Sequence, residues 1–327
     1  MIRGIWMYLF DLHCDTITRL HDGERLAPGD RSLRENSAHL ALARMKGYEW
    51  CQCFAIFMPD EYRGQAAVDY FESCYAFFTE QLAENADLAA RAYTAADIQE
   101  IVSGGRCAAL LTVEGGSALA GDLKRIARLR ECGVRILTLT WNGKNELGSG
   151  MACNEGLTPL GREAVPLLEQ AGIVVDVSHL SDSGFWEVQK LAKRPFIATH
   201  SDSRAVCGHG RNLTDDQFRA IVAAGGIVGL NFSAHFIAAD TPDPSYAQLS
   251  AHLGHFLALG GEDAVALGSD YDGTDVPSWL DPAEKIGGLY ERVKAEYGEK
   301  LAGKLFFGNV RAFFERYDAQ GAPACGM

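Results

Sequence analysis

Eight short apolar or β-branched runs recur along this chain with amphipathic stretches between them, and that alternation limits the fold more than any other feature. The runs cover residues 8–13, 51–57, 107–113, 134–140, 173–177, 196–199, 227–231 and 264–268. Most are apolar on both faces, as strands of a parallel sheet covered on both sides should be. The stretches 66–85, 95–103, 122–132, 161–171, 182–192, 214–224 and 246–259 carry helical periodicity. Thr94 and Ser181 are placed as N-caps, and Thr214 with Gln217 resembles a capping box. Gly104, Gly133, Gly172 and Gly225 follow helix ends, where left-handed backbone is wanted.

Strands alternating with helices through short connections predict an α/β fold, a (β/α)8 TIM-like barrel. The tail over 284–317 reads as additional C-terminal helices broken at Gly298, and 1–327 reads as one barrel domain. The competing arrangement is an open doubly wound sheet. No G-x-G-x-x-G follows the first run, which weakens its dinucleotide-binding version. The long polar linker over 16–50 is expected to hold a helix at 39–45 and a loop over the barrel mouth.

Composition narrows the partners. Thirty basic against 43 acidic residues leave a formal charge of −13, which repels phosphate backbones and anionic lipid. Nucleic acid and membrane are therefore poor partners, and a small molecule is favoured. The nine cysteines are odd in number and show no C-x-x-C, so free thiols in a reducing compartment are expected. The apolar stretch at 5–10 is too short for a secretory h-region, and no run approaches the ~20 residues of a membrane span. These features predict a cytoplasmic protein.

Chemistry is concentrated where the strands end. In a barrel the active site lies at the C-terminal ends of the strands. His13 and Asp15 follow the first run, Glu114 the third, His179 the fifth, His200 the sixth and Asp270 the eighth. On an extended strand His13 and Asp15, two apart, would face the same way. One Glu has two oxygens and can bridge two ions. Neutral imidazole and carboxylate suit zinc best, with manganese, cobalt or iron as alternatives. A lone histidine after a strand is more often structural, but the joint placement of six such groups at five strand ends points to a pair of divalent metals. His21, His39, His235, His252 and His255 are read mostly as surface residues, with His209 left open because it lies close to the site.

The motifs DLHCDT, TVEGG, ILTLTWN, VDVSHL, ATHSDSRAV, GRNL and LGSDYDG occur in that order. Together they resemble the membrane (renal) dipeptidase family and its bacterial relatives, from about residue 9 to the Gly308–Asn309 region. The resemblance implies a metal-dependent dipeptidase, a metallopeptidase with two zinc ions per chain. A hydroxide bridging the ions would cleave short unblocked dipeptides, including those with a C-terminal D-residue. It implies that His13 and Asp15 ligate one ion, His179 and His200 the other, and Glu114 bridges both. Arg211 would hold the substrate carboxylate. Asp270 would contact the free amine and move protons. A homodimer is a further family-level expectation. The chain departs from the animal members at one place: Trp141 stands where they carry a histidine that helps hold the substrate carbonyl oxygen. Either the metals carry more of that task, or Asn142 or another donor contributes, or the preferred substrate differs; Trp141 could equally narrow the pocket by packing.

Two other readings compete. Another amidohydrolase-like barrel would act on a cyclic amide, lactone or N-acyl amino acid; such enzymes commonly begin with His-x-His and bridge with a carboxylated lysine, whereas this chain has His-x-Asp and Glu114. A non-catalytic binding protein would have lost a metal ligand, and none is missing. The acidic run Gly268–Gly273 has the wrong sign for a phosphate site.

Overall fold

A computed structural model describes residues 7–321. Eight strands form one parallel sheet: β1 (Met7–Cys14), β2 (Tyr48–Phe57), β3 (Ala89–Arg91), β4 (Cys107–Glu114), β5 (Val134–Thr138), β6 (Val174–Asp176), β7 (Val228–Leu230) and β8 (Val265–Leu267). The order is β6-β5-β4-β2-β1-β8-β7, and the short β3 pairs with β4 outside this path. The gap between β6 and β7 is spanned by the sixth sequence run. It is too short to count as a strand, yet Ile197 bridges Asp176 and Ala198 bridges Val228. That completes a TIM-like α/β barrel.

Alternation along the strands explains the packing. Leu110 on β4, Ile136 on β5, Val174 on β6, Ile197 and Ala266 on β8 belong to one buried cluster, the barrel interior, together with Phe10, Cys51 and Cys53. Phe307, Val310, Phe313, Phe314 and Tyr317 from the C-terminal helices join the same cluster, so the tail plugs the barrel floor. The intervening residues, such as Phe54, Leu111, Leu137 and Val175, belong to the larger cluster between sheet and helices. Following the interior positions upward, apolar gives way to polar. Leu110 is succeeded by Thr112 and Glu114, Ile136 by Thr138, Val174 by Asp176, and Ile197 by Thr199. The mouth is polar because the same period-two pattern continues with different residues.

Helix signals perform as their chemistry requires. Thr94 forms a capping box with Asp97, Ser181 caps through Gly184 N–H, and Thr214 pairs reciprocally with Gln217. Gly133, Gly172 and Gly225 are left-handed, but in the 104–105 pair it is Gly105 that takes φ 75°. Gly298, at φ 89°, breaks the tail helices, and the tail continues through Glu299–Gly303, a π-turn at Lys304–Gly308 and Asn309–Ala319.

The linker departs from expectation. Residues 42–47 form turns rather than a helix, and the helix lies at Thr16–Asp22 instead. The segment is tethered by side chains: His39 N–H donates to Asp272 (2.7 Å) and Asp272 N–H to His39 Nδ1 (2.9 Å). These bonds replace what a helix would supply locally. The expectation of surface histidines also fails for His252, which is fully buried, accepting from Ser203 N–H and bonded to the Ile237 carbonyl.

Asp11 ties β1 to β2 and to the segment that follows β8. Its carboxylate is buried and accepts from Ser269 N–H (2.8 Å), Ser269 Oγ (2.5 Å) and Gln52 Nε2 (2.9 Å). Asp11→Ala leaves these donors unpaired in a dry interior and is expected to lower unfolding free energy by about 3 kcal/mol or more. A urea midpoint within error of the unaltered protein would refute the assignment.

Candidate metal and dipeptide site

Glu114 is the last residue of β4, buried at 3% exposure, and three imidazoles surround its two oxygens. His179 Nε2 is 2.6 Å and His200 Nε2 3.5 Å from Oε1, and His13 Nε2 is 3.6 Å from Oε2. Asp15 Oδ2 lies 3.2 Å from His13 Nε2. The rings of His13 and His200 stack at 3.9 Å, and the Nε2 atoms of His179 and His200 are 2.9 Å apart. His13, Glu114 and His200 form one group with metal-ligand spacing, and His13, Asp15 and Asp270 form a second. The structure thus brings together all six residues singled out at the strand ends.

The route by which they converge is not simple alternation. The pairing of β1 with β2 shifts register between Asp11 and Cys14. Asp15 lies beyond the strand at the N-cap position of the helix that follows, with φ −101° and ψ 14° and no side-chain cap hydrogen bond. It meets His13 because the chain turns, not because both sit on one extended face. His179 and Asp270 are left-handed at φ 66° and 62°. Such backbone costs of order 1 kcal/mol in a non-glycine residue and is held by its surroundings. Met151 N–H donates to the His179 carbonyl (2.8 Å), and Asp270 N–H to that of His13 (3.1 Å).

Burial and charge divide the imidazoles. Burial, followed by the neighbouring His13 charge, holds His200 well below the usual histidine range. Burial and then the Arg211 charge lower His179. At His13 burial also lowers, but Asp15 and Glu114 outweigh it and the group sits well above its ordinary value. Burial pushes Asp15 up to about 7. For Glu114 burial is opposed by the charges of His179 and His13, which hold the carboxyl well below its ordinary range. A buried carboxylate with three imidazole nitrogens around its two oxygens is a donor set suited to a divalent cation.

The remaining candidates flank this centre. Arg211 is buried at 5% exposure; it donates to the His200 carbonyl (3.0 Å) and Ser201 Oγ (3.2 Å), while its Nε has no partner. Asn142 Oδ1 accepts from His179 Nδ1 (2.9 Å), so its carbonyl side is engaged with an imidazole. Trp141 packs edge-on against Phe57 at 5.0 Å and stands 6.4 Å from the His179 ring. Asp270 Oδ2 accepts from the fully buried Asn231 Nδ2 (2.9 Å). Gly273 follows closely, and a Cβ there would collide with the carboxylates of both Asp15 and Asp270.

A sequence model of the membrane dipeptidase family (peptidase family M19) matches residues 6–320. The chain belongs to this family. It is a metallodipeptidase-type hydrolase, and membership implies use of a divalent metal. Among solved structures, a metallo peptidase from Rhodobacter sphaeroides, liganded with a phosphinate mimic of the dipeptide L-Ala-D-Ala, superposes with a TM-score of 0.90 at 27% identity, over 96% of this chain and 100% of that one. The M19 metallo peptidase dipeptidase AC superposes with a TM-score of 0.89 at 28% identity, over 96% and 99%. The Klebsiella pneumoniae protein described as "uncharacterized protein in pqqA 5'region" is 32% identical over 228 residues, covering 66% of this chain and 84% of its own length.

Several groups around the site escaped sequence reasoning. Asn231, Ser201 and Thr199 have ordinary polar side chains in apolar or loop contexts, and only the fold brings them to Asp270, Arg211 and His200. Asp11 and Asp176 carried a signal: each is a carboxylate inside an otherwise apolar strand run, where an ionised group needs dedicated partners. Arg204 is a third kind of omission. It donates to both Asp182 oxygens (2.8 and 2.9 Å) and to the carbonyls of Asn212 (2.7 Å) and Gly210 (2.9 Å). It therefore braces the loop that carries Arg211.

Arg204→Ala is expected to raise KM for dipeptides about tenfold or more with a smaller change in kcat, since it frees the loop that carries Arg211 while leaving the buried histidines in place. An unchanged KM would show that the loop holds itself. Hydrogen bonds from Arg204 hold Asp182 below the ordinary carboxylate range. The brace is therefore complete above about pH 4 and is lost only as pH falls through the lowered value.

Proposed function

We propose that the chain hydrolyses short unblocked dipeptides, including those with a C-terminal D-residue, using two divalent cations for which zinc is the best match. The observation that carries this reading is the buried Glu114 carboxylate with three imidazoles on its two oxygens, next to a buried guanidinium. The residues fit metal. Asp15 Oδ1 is buried without a hydrogen-bond partner, and the donors are all nitrogen and carboxylate oxygen. His13 and Asp15 would hold one ion, His179 and His200 the other, with Glu114 between them. When bound, such ions polarise a carbonyl and acidify water.

The chain's own residues supply the rest. Arg211 has N–H groups to spare on a fixed, desolvated fork, which suits a terminal carboxylate. Asp270, with Oδ2 held by Asn231, keeps its other oxygen for the substrate amine and for proton transfer to the leaving group. Trp141 and Phe57 form an aromatic wall beside His179, against which a side chain packs. Asn142 orients His179 through Oδ1 and retains an N–H2 that can face the substrate carbonyl. The neighbour liganded with the L-Ala-D-Ala mimic supports a D-residue at the C-terminal position.

No helix among the described residues is long and apolar enough to cross a membrane. All eight cysteines among them are free, which supports a cytoplasmic setting; Cys325 lies outside the described residues.

Elemental analysis of the zinc-loaded protein is expected to return about two ions per chain, and full activity in metal-free protein would overturn the reading. In a hydrolysis screen over L-L, L-D and D-L dipeptides, N-acetylated controls should be poor substrates. Arg211→Ala is expected to cut kcat/KM about 100-fold for free-carboxylate dipeptides. Equal losses on C-terminally amidated dipeptides would argue against the role given to Arg211.

A further inference from the structure

Beneath the two imidazoles of the proposed second metal position lies a carboxylate that touches neither of them. Asp176 ends β6, is fully buried, and accepts four hydrogen bonds. Ser178 N–H and Thr199 N–H, each at 2.9 Å, go to Oδ1. The hydroxyls of Thr138 and Thr199, each at 2.6 Å, go to Oδ2. All four donors are neutral, and together they fill the carboxylate's acceptor sites.

The Thr199 hydroxyl has a second neighbour, His200 Nδ1 at 2.7 Å. A hydroxyl carries one hydrogen. Both Asp176 oxygens already accept from other donors, so that hydrogen goes to Asp176, and the oxygen is left as an acceptor toward the imidazole. His200 Nδ1 must then be the nitrogen that carries hydrogen. Its Nε2 is a bare lone pair, directed at Glu114 Oε1 and His179 Nε2.

We propose that Asp176 is a positioning residue: through the Thr199 hydroxyl it fixes His200 as the Nδ1–H tautomer and aims Nε2 at the metal position. This rests on the reading of His200 as a ligand. His179 shows the same logic with one link fewer, because Asn142 Oδ1 accepts directly from its Nδ1. Partners of this kind orient ligating imidazoles and raise their basicity, and their loss typically costs about 10- to 100-fold in metal affinity. Thr199 is itself held rigidly. Gly229 and Gly268 let β7 and the end of β8 pass so close that a Cβ on either would collide with the Thr199 carbonyl.

The test measures zinc affinity by chelator competition in the full chain, together with the ¹⁵N imidazole signature of His200 in metal-free protein. Thr199→Val keeps the shape and removes the hydroxyl; it is expected to weaken one of the two zinc ions about 10- to 100-fold. Thr199→Ser retains the hydroxyl and should stay within a few-fold of the unaltered protein. Wild-type zinc affinity in Thr199→Val overturns the relay, as does an Nε2–H tautomer of His200 in the unaltered protein, a readout that stands even if Thr199→Val fails to fold. His200→Ala separates this inference from the ligand reading. If it binds zinc as tightly as the unaltered protein, the ligand assignment fails and the relay with it. If it loses an ion that Thr199→Val keeps, the relay alone fails.

Discussion

A carboxylate removed from water has to be compensated where it stands, and Glu114 sets that requirement for the whole mouth of the barrel. Burial alone would drive a proton onto it, and an ionised group with no partner would cost several kcal/mol. Three imidazoles answer it from three different strand ends, and each has to arrive with a nitrogen lone pair or a positive charge in the right place. The left-handed backbone at His179 and Asp270, the turn at Asp15 and the tight passage of β7 and β8 past Thr199 all follow from bringing these groups to one point.

A layer of hydrogen-bonded polar groups makes that convergence durable. Asn142 holds His179, the Asp176–Thr199 pair holds His200, Asn231 holds Asp270, and Ser201 with the His200 carbonyl holds Arg211. Apart from the Asp176 carboxylate, these donors and acceptors are neutral and orient the charged groups without adding charge to a site already crowded with it. Arg211 is the exception, a buried cation whose field also lowers His179. Its Nε is buried without a hydrogen-bond partner, which is the unmet demand that the proposed carboxylate role of Arg211 answers.

The barrel and the polar residues that gather at its mouth could be read early because both follow from local rules. Period-two alternation and capping chemistry mark strands and helices. A polar residue straight after an apolar run marks the active end of a barrel strand. The sixth run, 196–199, was recognisable as apolar but not as two isolated bridges, since its pairing depends on neighbours distant in sequence. The helix expected at 39–45 gave way to turns because His39 and Asp272, far apart in the chain, satisfy each other's backbone. Trp141 carries no charge or lone pair to reveal a role. Only the placement of Phe57 and His179 beside it shows that it forms part of a wall.

By itself the sequence determined the (β/α)8 pattern and the residue types at five strand ends, because hydrophobic period and residue chemistry are local properties. Only the tertiary structure decided how those residues meet. Asp15 meets His13 from the N-cap position of a helix rather than along a strand, and Asp176 reaches His200 through a hydroxyl contributed by the neighbouring segment. Hydrogen-bond geometry between segments is set by the closed barrel, which gathers donors and acceptors from remote parts of the chain, and no local pattern encodes it.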